Sequence, residues 1–168
     1  METFSSFTYG SPLDGSTTDW DAPGNGKYDW HAFAASGLWS NNQALSTNTD
    51  YDTIAITFAN SATPVYAIGG NFTETDINGN NLPGQVTLDF SDGHNAVLTN
   101  QSTGSFYGYI STSAITEVDI LSDNSATQDW VQATNFIVGD PAPAPEPASL
   151  TLLGLGAVAL VRRKRRRA

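Results

Sequence analysis

Short segments with apolar residues at every second position recur through the body of this chain, residues 1–140. In residues 53–59 the alternation places Ile54, Ile56 and Phe58 on one face, and residues 85–90 repeat the pattern. A period of two is typical of a half-buried β-strand, because successive side chains of a strand point to opposite faces. No amphipathic helix pattern precedes residue 148, so strands must supply the core of the body.

The same reasoning predicts enough strands for two layers. Further strands are expected at residues 64–69, 96–99, 105–110, 115–121 and 130–138, and less regular ones at residues 3–9 and 28–40. The turn Asp92-Gly93 predicts a hairpin. About eight evenly spaced strands predict an all-β fold, a two-layer antiparallel β-sandwich of the jelly-roll type.

Charge is divided unevenly along the chain. All seventeen acids and a single base, Lys27, lie in residues 1–147, which gives that part a net charge of −16. Because such a surface repels phosphates, we expect no nucleic-acid partner, whereas divalent cations are attracted. The chain has no Cys, which excludes disulfides, zinc–thiolate sites and cysteine nucleophiles.

The end of the chain divides into three segments. Residues 141–147 are a stiff, Pro-rich spacer. Residues 148–161 are uncharged and mostly Leu, Ala, Gly and Val, and residues 162–168 contain the bases Arg162, Arg163, Lys164, Arg165, Arg166 and Arg167. An apolar helix of this length spans about 21 Å, somewhat less than the roughly 30 Å hydrocarbon core. We predict a short transmembrane-type segment with a cytoplasmic basic end that stops transfer. The alternative, a helix packed on the body, fits the spacer and the run of bases poorly.

The motif Pro145-Glu146-Pro147, the apolar run and the bases stand in a specific order and spacing. Together, residues 145–167 resemble the PEP-CTERM sorting signal, a signature also catalogued as an ice-binding protein C-terminal domain. The resemblance implies recognition by an exosortase, a membrane-embedded processing enzyme, and cleavage near Pro-Glu-Pro. It also implies a Gram-negative host with a polysaccharide matrix, in which the protein passes the inner membrane and reaches the cell surface or matrix. More loosely, residues 50–139 resemble the sandwich ectodomains of this class.

Proteins with this signal begin with a secretory signal peptide. Residues 1–4 lead directly into polar, strand-like sequence without a basic and an apolar region. We therefore expect the leader to lie upstream of this sequence or to have been removed from it.

Little in the body points to catalysis. Its two histidines, His31 and His94, are interpreted as surface-loop residues, and no nucleophile elbow, zinc-protease or phosphate-loop motif is present. A glycoside hydrolase would need two carboxyls about 5 to 10 Å apart. Pairs that could supply them are Asp19/Asp21, Asp50/Asp52, Glu74/Asp76 and Glu117/Asp119. We expect no enzyme, with glycoside hydrolysis as the weaker alternative.

These acidic residues fit calcium binding better than catalysis. Asp76, Asn78 and Asn80 offer oxygen ligands at alternate positions of one loop, and Asp19 with Asp21 is a second candidate. Ca²⁺ prefers such oxygen ligands. The alternative is that these loops are plain turns that bond their own backbone.

Aromatic residues are concentrated near the start of the chain. Trp20, Trp30 and Trp39 could stack on sugar rings if exposed, or fill the core if buried. We therefore expect a non-enzymatic structural or adhesive protein of the envelope or extracellular matrix. A lectin-like module that binds polysaccharide is the alternative.

Overall fold

The computed structural model describes residues 11–12, 19–22, 28–41, 44–59, 61–99, 105–123 and 128–140. Within these ranges the chain forms strands and no helix. The strands are β1 (Ser11–Pro12), β2 (Asp19–Ala22), β3 (Trp30–Phe33), β4 (Leu38–Asn41), β5 (Ala44–Thr47), β6 (Ile54–Thr57), β7 (Val65–Thr75), β8 (Asn81–Leu82), β9 (Gln85–Phe90), β10 (Asn95–Thr99), β11 (Ser105–Ile115), β12 (Glu117–Ser122) and β13 (Trp130–Gly139).

Two antiparallel sheets are packed face to face. The large sheet has the order β1-β4-β5-β13-β7-β11, with β8 added beside β7, and the small sheet has the order β10-β9-β12-β6-β3-β2. The chain crosses repeatedly between the sheets, as in jelly rolls. The predicted all-β, two-layer antiparallel sandwich is confirmed.

The core lies between the sheets and is built from the alternating positions. The faces predicted for residues 53–59 and 85–90 both point inward, and every apolar residue on them is buried. Phe136 is the centre of an aromatic group, since its ring meets Trp30 edge-on at 5.6 Å and stacks on Phe58 at 6.5 Å. Such pairs add to the stabilisation that burial alone provides.

The predicted hairpin joins β9 to β10. Phe90 N–H donates to the carbonyl of His94 and Gly93 N–H donates to the carbonyl of Phe90, both at 2.9 Å. Gly93 has φ of 90°, a conformation that glycine adopts without strain. The hairpin lies at the edge of the small sheet, where its turn contacts β11 of the large sheet.

Several expectations fall on residues that the structure does not describe: the strand at residues 3–9, and the tail segments at residues 141–147, 148–161 and 162–168. Within the described ranges, no helix has the length and apolar character that a membrane span requires.

Candidate functional site

An exposed aromatic ring lies on the outer face of the large sheet. Phe106 belongs to β11, which among the described strands pairs with β7 alone, and 61% of its surface is exposed. Its Cζ lies 3.1 Å from the point that a Cβ at Gly69 would occupy, and its Cε1 lies 3.2 Å from the equivalent point at Gly108. Gly69 and Gly108 are paired across the strands. The two glycines therefore let the ring lie down on the sheet backbone.

Further apolar side chains share this face. Ile110 is paired with Ala67 and Ile137 with Gly69, and both isoleucines are exposed. We call this surface, formed by Phe106, Ile110 and Ile137 over the glycine pair, the Phe106 platform. Exposed apolar groups that are contiguous on one face are typical of a binding surface.

The opposite face of β11 carries a polar cluster, the Asp92 cluster, which joins the strand to the β9–β10 hairpin. The Asp92 carboxylate accepts hydrogen bonds from Tyr109 Oη at 2.8 Å, Ser111 Oγ at 2.5 Å and the backbone N–H of His94 at 3.0 Å. His94 Nε2 is 2.8 Å from Tyr107 Oη. These bonds connect the edges of the two sheets.

The electrostatics of the Asp92 cluster follow from these contacts. The hydrogen bond from Ser111, supported by those from His94 and Tyr109, lowers the pKa of Asp92. The hydrogen bond to Asp92 raises the pKa of Tyr109, and burial raises the pKa of Tyr107. The cluster is therefore a satisfied network at neutral pH, with an ionised Asp92 and neutral tyrosines.

The Asp92 cluster brings together Asp, His and Ser, but not as a nucleophilic triad. Ser111 donates to Asp92 rather than to the imidazole, and His94 is hydrogen bonded to Tyr107. A triad needs the imidazole between serine and carboxylate. The interpretation of the histidines as surface-loop residues is corrected for His31, which lies within β3. His94 lies in the turn before β10, where it is half-buried and stacks on Tyr109 at 4.0 Å.

Glu117 and Asp119 share the outer face of β12, and Asp119 is paired with Asp89 of β9. Burial and the charges of Glu117 and Asp89 raise the pKa of Asp119. The two carboxyls therefore lie on one strand face with acidic neighbours.

In the other described carboxylate pairs, the two side chains lie apart or a carboxylate accepts hydrogen bonds from the backbone. Asp52 accepts hydrogen bonds from the backbone N–H groups of Ser36 at 2.6 Å and Thr53 at 2.8 Å, so it fixes a loop. Glu74 points into the sandwich, whereas Asp76 lies in the loop that follows β7.

The loop predicted to bind calcium closes on itself. Asp76 Oδ1 accepts from the backbone N–H of Asn78 at 2.8 Å and of Asn80 at 2.9 Å, and Oδ2 accepts from Asn80 Nδ2 at 2.9 Å. These bonds, first the Asn80 side-chain amide, lower the pKa of Asp76. Because N–H donors occupy its carboxylate, the loop has the geometry of the plain turn named as the alternative. Asp19 and Asp21 lie in β2, and their side chains are outside the described part of the structure.

A different group of acids converges at one end of the sandwich. Glu74 near the end of β7, Asp123 after β12 and Asp129 before β13 place carboxylate oxygens within 4.8 Å of one another. We call this group the acidic cluster. Burial raises the pKa of Glu74, and the charges of Asp123 and Asp129 add to the rise.

Sequence reasoning missed the acidic cluster because its members are far apart in the chain. The alternation of β7 could have revealed one member. Glu74 is an even number of residues from the buried Ile68 and Phe72, so its side chain points to the same, inward face of the strand. A charged residue at an inward position marks a special site, because an isolated buried charge is costly.

The tryptophans have different environments. Trp30 is 5% exposed and packs in the core, so it has no open face for a sugar, which corrects the expectation for this residue. Trp39 follows the buried Leu38 on β4 and is half-buried, so it faces outward from the large sheet, as Phe106 does. Trp20 lies in β2, and its side chain is outside the described part.

The motif Pro145, Glu146 and Pro147 and the bases from Arg162 to Arg167 lie beyond the described residues. Residues 143–167 match the family model described as the PEP-CTERM protein-sorting motif, which confirms the resemblance of the tail. The motif supports the assignment of the chain as an exported protein. None of the curated proteins matches the chain.

Solved structures similar to this chain include carbohydrate binding modules of family 29. A variant of CBM29-2 is 13% identical with a TM-score of 0.47, over 78% of this chain and 98% of the module. A second variant, complexed with mannohexaose, is 11% identical with a TM-score of 0.46, over 71% and 84%. CBM29_1 from Piromyces equi is 12% identical with a TM-score of 0.45, over 73% and 85%.

At these identities and TM-scores, the likeness carries no inference about this chain. The sequence match at residues 143–167 is the specific result. The chain therefore carries the PEP-CTERM protein-sorting motif at residues 143–167, after an all-β body.

Proposed function

We propose that this chain is a non-catalytic structural or adhesive component of the cell envelope or extracellular matrix. The observation that carries the proposal is the sorting motif at residues 143–167, attached to an acidic, strand-built body. Its partner is an exosortase-type enzyme. The tail acts as an address, and the sandwich is the part that remains at the surface.

The tail suits a temporary stop in the membrane. Residues 148–161 are slightly short of a comfortable span, and the six bases that follow resist translocation. The spacer at residues 141–147 holds Pro-Glu-Pro away from the sandwich, so a membrane-bound enzyme reaches it. Cleavage there releases the body from its basic end on the outer side.

The described residues support a non-enzymatic body. Hydrogen bonds engage the Asp92 carboxylate with Tyr109 and Ser111, and backbone N–H groups engage the carboxylates of Asp52 and Asp76. A scaffold or adhesive role requires none of these groups to react.

Polysaccharide binding is the second candidate, and the Phe106 platform favours it. A ring laid on the sheet presents an open apolar face, which suits the C–H face of a sugar ring. Trp39 faces outward from the same sheet, four strands from β11 or about 19 Å. The distance suits an extended polymer better than a single sugar. With a net charge of −16 over residues 1–147, a neutral polysaccharide is the expected ligand, since an anionic one is repelled.

Co-sedimentation with insoluble neutral polysaccharides tests the second candidate. The wild-type chain is compared with Phe106→Ala and with Val97→Ala, which removes an exposed apolar side chain from β10 of the other sheet. We expect the first variant to lose about tenfold in affinity, since one stacked ring is worth about 1 to 1.5 kcal/mol. The second variant should bind like the wild type. Equal binding by all three proteins, or by none, would leave the structural role as the function of the body.

Fractionation tests the first candidate. The chain, supplied with a secretory leader and expressed beside an exosortase, should collect at the cell surface or in the extracellular matrix. A chain truncated after residue 140 should be secreted without being retained at any surface. If both proteins distribute alike, the tail does not direct the body.

A further inference from the structure

We propose that the acidic cluster of Glu74, Asp123 and Asp129 binds Ca²⁺ and thereby ties the two sheets together. This site is independent of the function proposed above. It differs in every residue from the loop at Asp76 and from the pair Asp19 and Asp21.

The geometry of the acidic cluster fits one cation. Ca²⁺ holds oxygen ligands at about 2.3 to 2.6 Å, so two ligands on opposite sides of the ion are about 5 Å apart. One oxygen from each of the three carboxylates lies within 4.8 Å of the other two. A single ion can therefore contact all three without rearrangement of the strands.

A second observation points to a missing ligand. Glu74 is fully buried, with 0% of its surface exposed, and its Oε2 atom has no hydrogen-bond donor. The other oxygen, Oε1, accepts from the backbone N–H of Asp123 at 3.1 Å, which aims the carboxyl group at the cluster. A buried carboxylate oxygen without a donor is costly. A cation beside it would supply the missing partner.

Gly84 is part of how the carboxylate is held. A Cβ at this position would lie 1.7 Å from Glu74 Oε2, so only glycine leaves room for the oxygen. Gly84 directly precedes β9 of the small sheet, whereas Glu74 belongs to β7 of the large sheet. The chain thus reserves space for this carboxylate where the two sheets meet.

Charge and ligand type select the ion. The residues up to 147 contain seventeen acids and one base, so ion pairs can neutralise few of the carboxylates. The cluster offers only carboxylate oxygens, which favour Ca²⁺ over the softer metals that prefer His or Cys. An ion shared by segments of both sheets would take the role that disulfides have in other exported proteins.

Calorimetric titration of the metal-free full chain with CaCl₂, together with thermal melts with and without excess CaCl₂, tests the proposal. We expect one site and a rise in the thermal midpoint of at least about 5 °C. Asp123→Asn, at an exposed position, should weaken binding about tenfold or more, because one charged ligand is lost. Glu74→Gln should abolish the response.

Asp76→Asn is the matched control, because it removes a carboxylate of the predicted loop and leaves the acidic cluster intact. It should keep the full calcium response. If Glu74→Gln does not fold, Asp123→Asn decides the matter. A wild-type chain without calcium heat or thermal shift would overturn the proposal. So would a response lost in Asp76→Asn and retained in Asp123→Asn.

Discussion

Replacing Phe106 by alanine should separate stability from binding, because the ring is on the sheet rather than in the core. The change removes the largest side chain of the Phe106 platform. The two glycines beneath it, Gly69 and Gly108, keep their pairing across the strands. Since the backbone register does not depend on the ring, the strand should remain in place.

The expected loss of stability follows from exposure. Fully burying a Phe side chain is worth about 1.5 to 3 kcal/mol. Phe106 is 61% exposed, so the part that packs on the sheet contributes about 0.6 to 1.2 kcal/mol. Phe136 is the comparison, since it is 1% exposed and contacts Trp30 and Phe58. Its replacement by alanine should cost about 3 to 5 kcal/mol, because a cavity remains.

Equilibrium unfolding in urea, followed by tryptophan fluorescence, measures both differences. The slopes of the transitions should agree among wild type and variants, so that the shift in midpoint reports stability. Phe106→Ala should shift the midpoint slightly and Phe136→Ala strongly.

A loss of about 3 kcal/mol or more for Phe106→Ala would contradict the placement of the ring on the surface, since this is the value of full burial. That result would make the ring a structural cover for the glycines, a known role of aromatics on sheets. A loss below about 1 kcal/mol for Phe136→Ala would contradict the assignment of the core.

Two further predictions concern the β9–β10 hairpin. Asp92→Asn should lower the free energy of unfolding by about 1 kcal/mol at neutral pH, because two hydrogen bonds to a carboxylate are weakened. The pKa of Asp92 is lowered by folding, so its contribution is present above about pH 4 and is lost as the pH falls through the folded value. In urea unfolding at several pH values, the difference in free energy of unfolding between wild type and Asp92→Asn should become smaller in acid. A difference that stays constant with pH would refute the role of the charge. Gly93→Ala should lower the free energy of unfolding by about 1 kcal/mol in the same assay, because φ is 90°. Among the described residues, no atom beyond the chain neighbours lies within 4 Å of the added Cβ, so a steric clash adds nothing to this cost. An unchanged free energy of unfolding would show that the turn relaxes.

The period-two pattern predicted where the strands lie but not which strands pair with each other. The alternation at Ile54, Ile56 and Phe58 and the turn at Asp92-Gly93 depend on nearby residues, and the strands and hairpin were found where expected. The placement of β13 between β5 and β7 depends on contacts between distant segments, which a period of two does not encode. The strand predicted at residues 64–69 is shorter than β7, because the glycines at 69 and 70 resemble the end of a strand.

The candidate sites were harder to predict for a physical reason. The loop at Asp76 has calcium-like spacing, yet its own amides satisfy the carboxylate. Asp123 and Asp129 stand far from Glu74 in sequence and meet it only when the sheets pack. Spacing identifies sites within one loop, whereas sites between strands depend on topology. Trp30 illustrates the same limit, since composition cannot distinguish a ring in the core from a ring on the surface.

The central proposal is that the sorting motif at residues 143–167 directs processing of the chain once a secretory leader has exported it. Intact mass spectrometry of the exported protein, made with a secretory leader beside an exosortase, tests it most directly. The account predicts a product that ends near Pro145 to Pro147 and lacks the bases from Arg162 to Arg167. Replacing Pro145 and Pro147 by alanine should leave the uncleaved tail attached. An exported wild-type product that retains all six bases would contradict the account.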